Sequence, residues 1–260
     1  MNLLGIDFED WYHIELVQKN FQLESPKTKI ISGIEKILEL LNKNNTYATF
    51  FVVGELLEHD PELFDKIIQN GHEIGFHTMS HSRIDTSMNR EKFETEVQKF
   101  AQLTNNKSKG FRAPSFSLSH STSWIFDILE RNGYLYDSSV MPAKTRLYGL
   151  PRAPKVPYKI SSKNIEKDDP LGRLTEFPLL TTTILGKTVP ASGGFYLRFL
   201  PQKIIENAIQ KNEKQTAPSS FYIHSWELTP EFMPKLDMPF VDHFITYHNL
   251  EKAYGKIDVE

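Results

Sequence analysis

Leu3-Leu4-Gly5-Ile6-Asp7-Phe8-Glu9-Asp10 opens the chain with an apolar run that ends abruptly in three acids. A strand buried in a parallel sheet reads this way, because its middle must be apolar and its C-terminal end can present polar groups to an open face. Leu3 to Ile6 is therefore read as a first strand. Downstream, Ser32 to Leu41 carries Ile34, Ile37, Leu38 and Leu41 at helical spacing behind Ser32 as N-cap, and the β-rich run Tyr47 to Val53 follows. Asp60-Pro61 opens a second helix with Leu63, Phe64, Ile67 and Ile68 as its stripe. Gly71 closes it, and His72 to Phe76 is a third strand. The rhythm continues with a helix over Arg90 to Leu103, a strand at Gly110 to Arg112, a helix from Thr122 to Arg131 and a strand at Tyr134 to Tyr136. Strand and helix alternate at least five times. Such alternation builds right-handed βαβ units on a parallel sheet, either open or closed into a barrel, with function at the strand C-termini.

Between Met141 and Pro170 the rhythm breaks, since Pro142, Pro151, Pro154, Pro157 and Pro170 admit no long regular element. Residues 141–170 are read as a long excursion within one domain spanning residues 1–260. Regular signals return at Leu174 to Phe177, in a helix from Pro201 to Lys211, and at Phe221 to His224.

Composition narrows the chemistry. A net charge of -3 without a basic run argues against a phosphate-backbone footprint, so nucleic acid is not expected. Cysteine is absent, which excludes disulfides and thiolate ligands and leaves any metal site to nitrogen and oxygen. Asp7, Glu9 and Asp10 interrupt any leader-like apolar stretch, and no window offers the roughly 18 apolar residues of a membrane helix. The expectation is a cytoplasmic protein with no membrane span.

Polar residues recur where the alternation places strand ends: Asp7, Glu9 and Asp10, then His77 and His81, then Arg112, and finally His224. On a barrel these ends converge on one face. Two imidazoles four residues apart plus a carboxylate would give Zn²⁺ or a similar ion three protein ligands and leave a position open for water and substrate. Each feature alone has a plainer reading: the acids as helix caps, Arg112 as a structural ion pair, His224 as a core histidine.

Taken together, the pieces resemble a known family. They are Asp7-Phe8-Glu9-Asp10-Trp11-Tyr12-His13, Ala48-Thr49-Phe50-Phe51-Val52-Val53-Gly54, Glu73 through His81, and Gly110-Phe111-Arg112-Ala113-Pro114-Ser115-Phe116-Ser117. Further on come Gly193-Gly194-Phe195-Tyr196-Leu197-Arg198, Phe221 through Glu227, and Tyr247-His248-Asn249-Leu250. Over nearly its whole length the chain resembles the polysaccharide deacetylases of carbohydrate esterase family 4, in the branch with a DUF3473-type C-terminal segment.

The resemblance implies an α/β fold, a distorted (β/α) barrel of about seven parallel strands, and a metal-dependent hydrolase that removes the N-acetyl group from an amino sugar in surface polysaccharide or glycoconjugate biosynthesis. The cofactor implied is a divalent ion, Zn²⁺ first among them. The partner is an N-acetylated sugar or glycan, linked to a nucleotide, a lipid or a polymer. His77 and His81 become metal ligands. Aligning adjacent acids makes Glu9 the base and Asp10 the ligand, whereas acids two apart make Asp7 the base and Glu9 the ligand. The expectation favoured is Asp7 as base and Asp10 as ligand. Arg112 would hold the base ionised and oriented. His224 would be the general acid, with Glu176 or Asp137 behind its other ring nitrogen, and Trp226, Phe116 and Phe195 would wall the sugar site. Alternatives are deformylation or cyclic-ureide hydrolysis on the same metal site, or a catalytically silent sugar-binding protein.

Overall fold

Strand β1 (Leu3–Phe8) runs two residues past the apolar stretch, so that Asp7 lies inside the hydrogen-bonded ladder rather than after it. The computed structural model describes residues 2–85 and 87–257. The other strands are β2 (Thr49–Val52), β3 (Glu73–Phe76), β4 (Gly110–Phe111), β5 (Tyr136–Asp137), β6 (Tyr158–Ile160), β7 (Leu174–Glu176), β8 (Thr181–Ile184), β9 (Lys187–Pro190) and β10 (Ser220–His224). The main sheet has the order β10-β1-β2-β3-β4-β5-β7-β6, parallel throughout except for β6 against β7. Among the described residues the main sheet thus has seven parallel strands, as expected, with one antiparallel strand at the edge. The sheet curls into an incomplete barrel whose β10 edge makes two isolated bridges, Leu179 with Ser220 and Gly193 with Tyr222.

Residue alternation decides what each strand buries. Ile6, Phe8, Phe50, Val52, Ile74, Phe76 and Phe111 face outward into one core shared with the flanking helices. Those helices cover Ile34–Lys43, Glu62–Gln69, Arg90–Leu103 and Ile125–Arg131. The 90–103 helix has the bounds read from its pattern, and the Asn89 side chain caps it by accepting from the Lys92 N–H. Ser32 is not the N-cap expected of it: residues 30–33 form a 3₁₀ turn that runs directly into the helix, with Gly33 at the cap position. The 141–170 excursion contains β6 as its one strand. The β8–β9 hairpin and the helices Gly194–Phe199 and Phe240–Tyr247 have no counterpart among the elements expected from the sequence. No helix among the described residues is long and apolar enough to cross a membrane.

Candidate active site

Because the strands are parallel, the ends of β1, β3, β4 and β10 meet at one rim of the barrel. Asp7 stands in register with His224 of β10 on one side and with Phe51 of β2 on the other. The two-residue period sends Asp7 and Glu9 the same way, into the cleft, while Phe8 between them goes to the outer core. Gly5, one period earlier, lies under the Arg112 guanidinium, where a Cβ would come within 2.5 Å of Nη1.

Glu9, His77 and His81 form a group that could hold a metal ion. Their nearest nitrogen and oxygen atoms all lie within 4.8 Å of one another, and all three residues are buried. Glu9 Oε2 is 2.5 Å from His81 Nε2 and 3.9 Å from His77 Nε2, yet it receives no hydrogen bond. A buried carboxylate oxygen facing two imidazole nitrogens, with no proton donor in place, suits a shared cation. His77 Nδ1 lies 2.7 Å from the Arg112 carbonyl, a hydrogen bond that makes Nδ1 the protonated nitrogen and leaves Nε2 for the cation. Burial lowers the His77 pKa to about 4, against the pull of Asp7 and Glu9 upward, so the ring is neutral as a ligand must be. For Glu9, burial works against the charge, but His81, His224 and His77 outweigh it and hold the carboxyl below its usual range. The turn carrying both histidines is strained: Thr78 and His81 have φ of 58° and 54°. It is held by N–H groups of Gly54 and Glu55 donating to the Thr78 and Met79 carbonyls at 2.9 and 2.8 Å.

Arg112 is fully buried and spends its donors on two neighbours. Nη1 donates to Asp7 Oδ1 at 2.6 Å, Nε to the Ser138 carbonyl at 3.0 Å, and Nη2 to Ser138 Oγ at 2.9 Å. Its guanidinium also lies 4.1 Å from the Phe51 ring centroid. Asp7 is thus clamped through one oxygen.

His224 lines the same cleft from the strand next to Asp7. Its Nδ1 donates to Glu227 Oε2 at 2.8 Å, and the same oxygen accepts the His224 backbone N–H at 3.1 Å. Burial alone would lower the imidazole pKa, but Glu227, with Glu9 and Asp7, raises it to about 9. Glu227 would be raised by its own burial, but Arg198 and His224 bring it down to about 2. The expected partners Glu176 and Asp137 are corrected here: they lie on β7 and β5, in register with each other, and bind the 139–140 backbone instead. The acid that reaches His224 is three residues away on the short helix Ser225–Leu228, where N-capping geometry folds it back.

Asp10 is a second correction. It does not join the histidines; one residue, half a period, beyond Glu9, it points the other way and caps the 3₁₀ turn at residues 11–13. Its Oδ1 accepts from Trp11 N–H at 2.8 Å, and its Oδ2 from Lys29 and Ile30 N–H at 2.5 and 2.9 Å. Phe116, Phe195 and Trp226 do line the cleft, joined by Tyr148 and Ile245. Trp226 also holds Glu9 in place, since its Nε1–H donates to Glu9 Oε1 at 2.9 Å while its ring stacks on His224 at 4.9 Å. Glu227, Ser225 and Arg198 have no role assigned from the sequence, although all three stand in the motifs that carry the resemblance. Ser225 Oγ accepts the Glu9 N–H at 3.0 Å and fixes that residue's backbone.

Residues 31–136 match the polysaccharide deacetylase family, and residues 138–259 match a domain of unknown function, DUF3473. Over residues 31–136 the chain is similar to the polysaccharide deacetylases. A peptidoglycan deacetylase of Helicobacter pylori is 30% identical over 112 residues, covering 42% of this chain and 37% of that protein. The chain spans about a third of the length of the first curated relatives it matches. Among solved structures, a candidate polysaccharide deacetylase of Mycobacterium smegmatis superposes with a TM-score of 0.50 at 16% identity, covering 89% of this chain and 82% of that one. PuuE allantoinase superposes at 0.52 and 15% identity, covering 98% of this chain and 83% of that one. These two likenesses concern the fold. Both matched segments contribute to one sheet, β2, β3 and β4 from the first and β6, β7 and β10 from the second.

Proposed function

We propose that this protein is a metal-dependent N-deacetylase of amino sugars, working as one catalytic unit over residues 1–260. The observation that carries the reading is the convergence on one rim of a cation-shaped Glu9–His77–His81 set, with Asp7 clamped by Arg112 and a protonated His224 on the next strand. Glu9, His77 and His81 would hold a divalent ion, for which a nitrogen and oxygen donor set of this kind favours Zn²⁺. When bound, such an ion polarises the acetyl carbonyl and acidifies a water. Asp7, with Oδ1 taken by Arg112, accepts the proton from the attacking water at its second oxygen. The carbon–oxygen bond forms, the carbon–nitrogen bond breaks, and His224 gives a proton from Nε2 to the departing nitrogen, so acetate and a free amine leave. Nδ1 of His224 stays fixed on Glu227 throughout. Phe195, Tyr148 and Phe116 offer apolar surface on which a sugar ring packs.

Purified protein loaded with Zn²⁺ should release acetate from short N-acetylated oligosaccharides or acetamido-sugar conjugates, and Asp7→Asn should lower that release by about 10²- to 10⁴-fold while metal content is kept. Release of formate or opening of a cyclic ureide in place of acetate would move the reaction to a different amidase class. Binding of acetylated sugars with no turnover by the metal-loaded protein would sink the enzymatic reading.

A further inference from the structure

Arg198 belongs to no step above, yet it is among the largest fully buried side chains in the molecule. It stands on the helix Gly194–Phe199 and aims its guanidinium at two targets at once. Nε donates to Glu227 Oε1 at 2.6 Å. Nη1 donates to the carbonyls of Thr246 and His248 at 3.2 and 2.5 Å, and Nη2 to that of Ile245 at 2.9 Å. These three carbonyls are the unpaired acceptors at the C-terminal end of the helix Phe240–Tyr247, where a cation is favoured. Ile245 and Thr246 themselves line the cleft. Glu227 divides its oxygens cleanly, Oε1 to Arg198 and Oε2 to His224. A buried carboxylate with only the imidazole as partner would be free to turn away or to take up a proton; a guanidinium on its other oxygen removes both options.

Resting on the deacetylase reading above, we propose that Arg198 is a positioning residue for the general acid: it fixes Glu227 against Nδ1 of His224 and ties the cleft wall at residues 245–246 to the same carboxylate. Arg198 acts through Glu227, so its effect must vanish when Glu227 loses its charge. A residue that only holds the Phe240–Tyr247 helix in place would act regardless of Glu227.

The test uses the full-length, Zn²⁺-loaded protein and four forms: wild type, Arg198→Lys, Glu227→Gln and the double variant. Lysine keeps the charge but cannot reproduce the fork, and it is chosen because it is the gentler change for folding. The quantity read is the ratio of turnover on an acetamido sugar to turnover on nitrophenyl acetate, whose leaving group needs no proton. Arg198→Lys should lower this ratio about 10-fold in the wild-type background and leave it within about twofold in the Glu227→Gln background. Equal falls in both backgrounds, or none in either, would overturn the proposal. Should the wild type hydrolyse no amide, the deacetylase reading fails on its own, and proton NMR of the His224 Nδ1–H still decides the positioning role. Its low-field resonance should disappear in Glu227→Gln and move upfield in Arg198→Lys. An unmoved resonance in Arg198→Lys refutes it.

Discussion

Two groups of carboxylates are buried within the same barrel, and they are driven in opposite directions. Glu9 at the rim is held below the usual carboxylate range, because three imidazoles outweigh the cost of its burial. Asp137 and Glu176, in register on β5 and β7, are both pushed up by burial; Asp137 drives Glu176 further, well above its ordinary value, whereas the hydrogen bond with Glu176 tempers the rise of Asp137. Glu176 Oε2 has no hydrogen-bond donor unless one of the two carboxyls keeps its proton. Burial is common to both groups; the sign of the neighbouring charge decides. The rim carboxylate is held ionised by imidazoles, while the inner pair is pushed toward its protonated forms and anchors the backbone at residues 139–140.

The sharpest way to break this comparison is at the rim. Glu9→Gln should abolish stoichiometric divalent metal and lower deacetylation by more than about 10³-fold, because one of three protein ligands is gone. Asp10→Ala should keep the ion and instead lower stability by about 1–2 kcal/mol through the lost cap. Elemental analysis beside thermal melts separates the two, and metal loss in Asp10→Ala with retention in Glu9→Gln would return the ligand role to Asp10.

A smaller effect is expected where a carboxylate faces an imidazole instead of a metal. His224 is raised to about 9 largely by Glu227, so in the wild type amide hydrolysis should persist until pH climbs through that value and the acid loses its proton. Glu227→Gln removes the raising charge, and the alkaline limb should move to lower pH, with turnover at pH 8 reduced about 10-fold. A limb unmoved by the substitution would detach it from His224.

The smallest effect belongs to the inner pair, and its sign is opposite to that of an ordinary salt-bridged acid. Since the folded carboxyls are raised, their contribution is complete below the usual carboxylate range and is lost as pH rises toward the folded value. Glu176→Gln, which keeps an acceptor for the Val140 N–H, should therefore be more stable than the wild type by about 1 kcal/mol at pH 8 and no more stable at pH 4. Denaturant melts at the two pH values measure it; a destabilised variant at pH 8 would mean that the pair is ionised and otherwise neutralised.

Much of this is legible in the chain as written. Apolar runs ending in Asp7, His77, Arg112 and His224 specify parallel strands and their functional ends, because hydrophobic periodicity is local and its consequence for burial is direct. Even the Glu9 placement is available in principle, since Gly5, Asp7 and Glu9 alternate with Ile6 and Phe8. Choosing the ligand by residue type instead of by this alternation leads to Asp10. The partner of His224 is harder to see. Glu176 and Asp137 sit at strand ends as expected of site residues, and only the fold turns them toward each other and brings Glu227 back over the imidazole.

The amino-acid sequence by itself determined which residues are apolar, which are strand ends, and that any metal must meet nitrogen and oxygen; these follow from period, composition and side-chain chemistry. The tertiary structure alone decided the pairings, namely Asp7 with Arg112 across 105 residues, Glu9 with Trp226 across 217, and Arg198 with both Glu227 and the 245–248 carbonyls. Proton affinity and hydrogen bonding depend on atoms within a few ångströms, and barrel closure, which no local pattern encodes, sets those distances.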